Sequence, residues 1–431
     1  MTTDSIENAP RPRSTPRVMQ LDILRGIAVL MVLINHKPHY PATDGVWLDD
    51  LLLPFSRALW TGVDLFFVLS GYLVGGLLIA ELRKSGRIDL KRFWVRRGLK
   101  IWPTYYLYLA FLVVVTAVFY VDHSRPGWLR AAFLVQSVKA VYIQNYFQPT
   151  LAPTVLNIPG THTWTLAVEE HFYFILPLVL VALSKRWRTA LPIVTLVVFV
   201  GCLALRLRHY HWPMDWRWDY QATHIRIDSL FFGVFLAYLS HEHPNVLRWV
   251  ARRRGFVLAS GLLLILPMLV FPLGDPFVKT FGYSCLSLGY GCVLLAVITT
   301  EPGVGALGRL VGSRASNALA WVGLWSYSIY IWHVDLMSLF TDLAARWGTV
   351  WTFTWRYSYC VVYVVASVAL GALLGHLVEK PALVWRDRLF PSRANSAVAT
   401  GWREQPALDP VPSHVDDRYA DADPRSEVMA T

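Results

Sequence analysis

The chain is short of charge. Only 16% of its 431 residues are Asp, Glu, Lys or Arg, against about 25% in a typical soluble domain. Hydrophobic residues make up 55% and the mean hydropathy is +0.40, a balance that excludes an ordinary soluble enzyme and reads as an integral membrane protein. Cysteine is scarce as well. Cys202, Cys285, Cys292 and Cys360 all lie in apolar segments without CxxC spacing, so they read as core residues with no metal or redox message. Neither an internal repeat nor a second folded domain is visible, and no A-x-A cleavage site follows the first apolar run. Acidic residues are outnumbered, 29 against 40 Lys and Arg, for a formal charge of +11. The basic residues sit in short loops between apolar runs, which makes the excess a topology signal and argues against nucleic-acid binding. Aromatic residues are plentiful: nineteen Trp and twenty Tyr suit the belts at two membrane–water interfaces.

Apolar runs long enough to cross a bilayer occur near 18–37, 58–80, 102–121, 163–183, 190–207, 224–240, 255–272, 278–298, 318–340 and 353–377. The expected fold is therefore an all-α membrane bundle of about ten transmembrane helices. The fourth and sixth runs are interrupted by Glu169, Glu170, His171, Arg226 and Asp228. One alternating set of connections carries twenty Lys and Arg, and the opposite set, over longer loops, carries eleven. Both termini are accordingly expected in the cytoplasm. Three regions follow: a cytoplasmic segment 1–17, a membrane domain 18–382, and a tail 383–431 rich in Pro, Ala, Asp and Arg that reads as disordered. The outward loops 37–57 and 122–162 are long, and the second holds Trp128, Tyr142 and Tyr146. Loops of that length are often functional.

Within the first run, LDILRGIAVLMVLINH, three ionisable residues stand out: Asp22, Arg25 and His36. At 100° per residue Arg25 and His36 fall on nearly one stripe, roughly 16 Å apart along the axis, and Asp22 can pair with Arg25 three residues on. Such groups cost about 2.5–3.5 kcal/mol each on insertion scales, so they usually face a protein interior or an aqueous cavity. With orientation assigned, His36 ends an outward-running helix. Asp64, Glu169, Arg226, Asp228 and His333 also fall toward the outer leaflet, from four further helices. Glu169 and Glu170 point about 100° apart, so one of them, with Glu169 favoured, faces any shared pocket. On the other side, 81-ELRKSGRIDLKRFWVRRGLKIWP-103 brings eight basic residues to the third helix. Arg96, Arg97 and Lys100 are spaced to clamp phosphates.

These blocks resemble the membrane-bound acyltransferase family 3, typified by bacterial enzymes that O-acylate surface polysaccharides. The family's opening Arg, ten residues, then His is matched by Arg25 and His36. GVDLFFVLSGYL, RRGLKIWP, WTLAVEEHFY, RIDSLFFG and SYSIYIWH resemble further blocks in the same order, over residues 18–382. One departure is plain: the family's Arg-x-x-Arg reads Arg97-Gly98-Leu99-Lys100, and a Lys keeps charge but loses the bidentate fork. The resemblance implies an acyl-coenzyme A donor, acetyl above all, as a substrate from the cytoplasm, with no tightly bound cofactor, and a hydroxyl acceptor outside, such as an envelope or exported glycan. It further implies that Arg96, Arg97 and Lys100 hold the coenzyme's phosphates while Arg25 and Asp22 line the route. His36 then deprotonates the acceptor hydroxyl or carries the acyl group, with Glu169 as its carboxylate partner. Asp64, Trp164, Arg226, Asp228 and His333 are expected to contact the acceptor.

Each of these readings has a plainer counterpart. Asp22–Arg25 can be a structural ion pair, Arg96, Arg97 and Lys100 can be positive-inside anchors, and Ser70-Gly71 can simply permit close helix packing. His209-x-His211 and His241-x-His243 fall in connections on opposite sides and lack ligand spacing, so no metal site is expected. Two other functions fit the composition: acylation of a small secreted glycoside such as a macrolide, and a proton-coupled secondary transporter. Transporters tend to carry inverted repeats and midplane sites, and this chain shows neither pattern.

Overall fold

A computed structural model describes residues 18–37, 47–115, 161–212, 220–347 and 353–391. The described residues are helical throughout, with no strand among them. Helix α1 spans Met19–Asn35, α2 Trp47–Ala58, α3 Gly62–Ser85, α4 Leu90–Val115, α5 Trp164–Leu183, α6 Trp187–His211 and α7 Thr223–Glu242. They are followed by α8 Pro244–Arg252, α9 Arg254–Ile265, α10 Pro267–Val270, α11 Tyr283–Ile298, α12 Gly305–Val311, α13 Arg314–Leu324, α14 Ser326–Trp347, α15 Phe353–Leu374 and α16 Lys380–Leu389.

Among the described residues, six helical stretches are long and apolar enough to cross a membrane: Leu53–Ser85, Leu90–Val115, Trp164–Leu183, Trp187–His211, Val278–Ile298 and Tyr357–Leu389. A seventh span is possible if the pair Pro244–Arg252 and Arg254–Val270, bent by 89°, counts as one. The expected runs are helical over most of their described residues, but four do not meet the same criterion as single helices: 18–37, 224–240, 318–340 and, unless its bent pair counts as one span, 255–272. The runs at 18–37 and 224–240 are short or charged, and 318–340 is divided between α13 and α14 at Trp325. A charged helix surrounded by other helices needs less hydropathy than one facing lipid, because its polar groups find partners within the protein.

Helix α3 is the centre of the bundle. Its membrane window is 78% buried, against 22% for α6, whose Ile193, Leu196, Val197 and Val200 stay exposed as a lipid-facing surface needs. Along α3 lies α7, and α1, α5 and α11 also pack against α3. The α3–α7 crossing is tight because of two glycines. A methyl group on Gly71 would meet the Leu230 carbonyl oxygen at 1.9 Å, and one on Gly233 would meet Val68 O at 2.3 Å, the small-residue contact expected where backbones approach in a membrane. The α1–α13 crossing is built in the same way from Gly26 and Gly323, the latter against the Asp22 carbonyl. That contact fixes the charged end of α1.

Beside this core, α4 packs against α5, α14 and α16, and α14 against α15. A π-helical turn, Gly375–Glu379, joins α15 to α16 and buries Glu379, which accepts a hydrogen bond of 2.9 Å from Ser328 Oγ. At its C-terminus α3 stops at Gly86, whose φ of +69° is a left-handed cap that glycine adopts without strain. The second outward loop, with Trp128, Tyr142 and Tyr146, and the tail beyond 391 lie outside the described residues.

Candidate active site

Three histidines from three segments meet at one end of the bundle. His36 closes α1, His162 lies in the turn Thr161–Thr163 that enters α5, and His333 sits two turns into α14. The ring centroids of His36 and His333 are 5.1 Å apart, as are those of His162 and His333. His162 and His333 are buried, while His36 is only half-buried, at the open edge of the cluster. A backbone carbonyl orients each ring: Val32 O lies 2.9 Å from His36 Nδ1, Ile331 O 2.9 Å from His162 Nε2, and Tyr330 O 2.6 Å from His333 Nδ1. A carbonyl only accepts, so each of these nitrogens carries the hydrogen and the lone pair of the neutral ring falls on the other nitrogen. Burial, with a smaller contribution from His36, pushes the His162 imidazole down to about 3, so that ring is neutral at physiological pH.

Below the histidines, one stripe of α5 leads inward. Thr165 Oγ1 donates to Tyr330 Oη at 2.7 Å, and that hydroxyl donates to the His162 carbonyl at 2.7 Å. Glu169 is one turn further along the same stripe and Tyr173 one turn beyond it. Tyr173 Oη donates to Glu169 Oε2 at 2.9 Å and lies 2.7 Å from Ser70 Oγ of α3. Glu169 is thus the glutamate whose side chain joins this stripe, seven residues and about 10 Å of helix from His162. The contacts that orient the His36 ring include the Val32 carbonyl and the His333 ring. Glu169 occupies an intermediate position along this stripe, accepting from Tyr173. Glu169→Gln is expected to lower activity by at least about tenfold, within the range of general acid–base groups, while Glu170→Gln stays within about threefold. Rates measured on the two folded variants decide between the glutamates.

Deeper still is the basic end. Arg97 lies over the Tyr173 ring at 5.5 Å and the Phe93 ring at 5.8 Å. Lys100, one turn on, is within electrostatic reach of Arg25, Arg97, Glu379 and Arg386. The sequence-predicted Asp22–Arg25 pair forms at 3.5 Å, with Asp22 buried. Arg96 points elsewhere. It pairs with Asp387 at 3.1 Å and donates to the Phe390 carbonyl, while neighbouring Arg92 donates to Pro391 O. The expected three-residue clamp is therefore divided: Arg97 and Lys100 gather with Arg25, and Arg96 ties α4 to α16.

Asp64, Arg226 and Asp228 are brought together as two ion pairs closed within the core. Arg226 donates to Asp64 at 2.8 Å, both side chains 0% exposed, and Arg206 donates to Asp228 at 2.8 Å, at 1% and 0%. The Arg226 guanidinium also lies over the rings of Tyr283 at 4.1 Å, Tyr220 at 5.3 Å, Trp164 at 5.6 Å and Phe67 at 5.7 Å. Complete burial and saturation by rings favour a structural part for Asp64, Trp164, Arg226 and Asp228 over contact with an acceptor. Arg206, at the junction of the apolar run 190–207 with the connection that follows it, belongs to this core as well. Among the described residues, no group of three or more His, Cys, Asp or Glu is arranged to hold a metal ion.

Residues 19–375 match the family model described as an acyltransferase domain. The chain belongs to that acyltransferase family. A Staphylococcus aureus (strain COL) protein, provisionally named an O-acetyltransferase, is 28% identical over 337 residues, covering 74% of this chain and 50% of the relative. The peptidoglycan O-acetyltransferase OatA of Listeria monocytogenes serovar 1/2a is 26% identical over 339 residues, with 76% and 50% covered. The O-acetyltransferase OatA of Staphylococcus aureus (strain NCTC 8325 / PS 47) is 26% identical over 340 residues, with 77% and 52% covered. The chain thus spans about half the length of the curated relatives it matches. No solved structure matches it significantly.

In an acyltransferase the divided basic cluster has a measurable consequence. If the expected phosphate contact is made by Arg97, Arg97→Lys raises the donor KM about three- to tenfold, because a bidentate fork is lost while the charge remains. Arg96→Lys is expected to leave that KM within about twofold and to loosen α16 instead. Equal effects on donor KM would restore the three-residue clamp.

Proposed function

We propose that this acyltransferase is an integral-membrane O-acetyltransferase that moves an acetyl group from cytoplasmic acetyl-coenzyme A to a hydroxyl of an envelope or exported glycan. One observation supports the reading: polar side chains of α4 and α5 are spaced between a basic end and a histidine end. Along α4, Lys100 and Tyr108 are eight residues and about 12 Å apart, and Tyr108 stands against His162, ring centroids 5.9 Å apart. Along α1, eleven residues and about 16 Å separate Arg25 from His36. A slender thioester arm whose phosphates rest on Arg97, Lys100 and Arg25 would present its acyl group near Glu169 and the histidines. His36 takes the proton of the acceptor hydroxyl as its oxygen attacks the thioester carbonyl. The C–S bond breaks, and the coenzyme leaves as thiol once it gains a proton. The relatives' names favour a peptidoglycan-like acceptor over a small secreted glycoside.

The reading includes ten membrane crossings with both termini in the cytoplasm and the protein in the plasma membrane, the histidines facing outward and the arginines inward. It keeps the expected bounds of 1–17, 18–382 and 383–431, with the first residues of the last region, through Leu389, forming the end of α16 packed on α4. A reporter fused after Lys380 should read the cytoplasmic side; an external signal would overturn the orientation. For the reaction, purified protein is incubated with labelled acetyl-coenzyme A and membrane glycan extracts. Alkali-labile label on glycan is the expected result. Absence of labelled product with every acyl donor tried, alongside proton-coupled solute uptake in vesicles, would favour a transporter instead.

A further inference from the structure

The histidine cluster contains a mismatch that the proposed function alone does not resolve. His162 Nδ1 and His333 Nε2 are both buried and both lack a hydrogen-bond partner. The opposite nitrogen of each ring is committed to a backbone carbonyl, so each unpartnered nitrogen bears a lone pair. Two acceptors cannot satisfy one another, although their rings stand 5.1 Å apart at an interplanar angle of 73°. Burying a hydrogen-bonding atom without a partner is destabilising, because the desolvation of that atom is not offset. Here the chain does so twice, side by side, beneath the half-exposed His36. The neighbouring hydroxyl does not help: Tyr330 Oη donates to the His162 backbone carbonyl. Tyr108 Oη, also close by, donates to Asp335 at 2.7 Å. The nearby phenols are thus turned away, and the two lone pairs remain open to a donor that arrives from outside.

We propose that His162 Nδ1 and His333 Nε2 form the acceptor subsite, receiving hydrogen bonds from hydroxyl groups of the incoming alcohol and holding it against His36. The inference rests on the acetyl-transfer reading above and deepens it. A glycan fits this subsite because a sugar offers adjacent hydroxyls: one loses its proton to His36 while another donates to the buried pair. A simple thiol or a monohydric alcohol lacks that second donor. In this scheme His162 and His333 touch substrate but lose no bond and carry no acyl group, and the transferred proton goes to His36. His162 had no place in the site as read from the sequence.

The test uses atom-by-atom replacement in the full-length protein in lipid nanodiscs. His162→Asn and His333→Gln each keep an acceptor oxygen near the position of the lost lone pair, whereas His162→Phe and His333→Phe keep a ring and remove the acceptor. Acetyl transfer is measured from labelled acetyl-coenzyme A to chitotetraose, and coenzyme release to water is followed in parallel. The Phe variants are expected to lower kcat/KM for chitotetraose at least tenfold, with donor KM within twofold and a thermal midpoint close to wild type. The Asn and Gln variants should recover at least a third of that loss. Phe variants that transfer within threefold of wild type would overturn the subsite. So would a loss that follows the thermal midpoint, or one that falls equally on donor KM. A wild-type chain inert in both assays would instead remove the acetyl-transfer reading, and this inference with it. Histidine-selective ¹⁵N spectra give a readout that needs no activity: His162 Nε2–H and His333 Nδ1–H tautomers are expected. The opposite tautomers, or stoichiometric metal on the purified chain, would overturn it.

Discussion

Replacing His36 by alanine is expected to lower acetyl transfer by roughly 10²–10⁴-fold, the usual contribution of a positioned general base, with little effect on folding. The position supports a large kinetic effect and a small structural one. His36 lies just past the last residue of α1 and is half-buried, so its removal leaves no sealed cavity. Its Nδ1 is fixed by Val32 O at 2.9 Å, which leaves the basic lone pair on Nε2. Imidazoles are the usual general bases in the neutral pH range. Buried His162, held neutral far below that range, is unsuited to accept a full proton, which separates a base at the rim from hydrogen-bond acceptors beneath it. The measurement is the rate of alkali-labile label appearing on acceptor, normalised to correctly folded protein. Near wild-type transfer would remove His36 from the base role and shift attention to Glu169.

The parts of this site that were legible in the sequence share a physical cause. Asp22, Arg25 and His36 were conspicuous because ionisable groups in an apolar helix are costly, and the 100° rule placed them on one stripe that the structure keeps. Glu169 over Glu170 was favoured from the sequence, and the Thr165–Glu169–Tyr173 stripe supplies the reason. What escaped lay at the ends of apolar runs. His162 immediately precedes its run, 163–183, and reads as the end of a loop. Glu379 follows its run and owes its inward aim to a π-helical turn, an extra residue that α-helical periodicity does not foresee. Arg206 sits where a span meets a loop and was counted with the loop, yet it is 2% exposed and paired with Asp228. Run ends are ambiguous because a snorkelling side chain and an inward-facing one look alike in sequence. The partition of Arg96 from Arg97 was also beyond reach, because it depends on where α16 returns.

The second large effect concerns Asp64 and Arg226, and it separates a structural pair from a substrate contact. Arg226→Met alone is expected to destabilise the protein by about 3–5 kcal/mol, because it strands the Asp64 carboxylate in the core without its counter-charge. Asp64→Leu alone should cost a similar amount by stranding the guanidinium. The double variant should recover most of the loss. The pair is imperfectly satisfied: Asp64 Oδ2 and Arg226 Nε make no hydrogen bond, so the attraction only partly offsets desolvation. The surroundings also suit an apolar replacement, since Tyr283, Tyr220, Trp164 and Phe67 already line the guanidinium. Thermal midpoints in detergent and the yield of monodisperse protein give the stability cycle, and acetyl transfer by the double variant gives the functional one. A structural pair predicts that stability and activity return together. If stability returns while acceptor kcat/KM stays down a hundredfold, Asp64 and Arg226 contact the acceptor after all. Their burial would then describe a closed state that opens before the sugar binds.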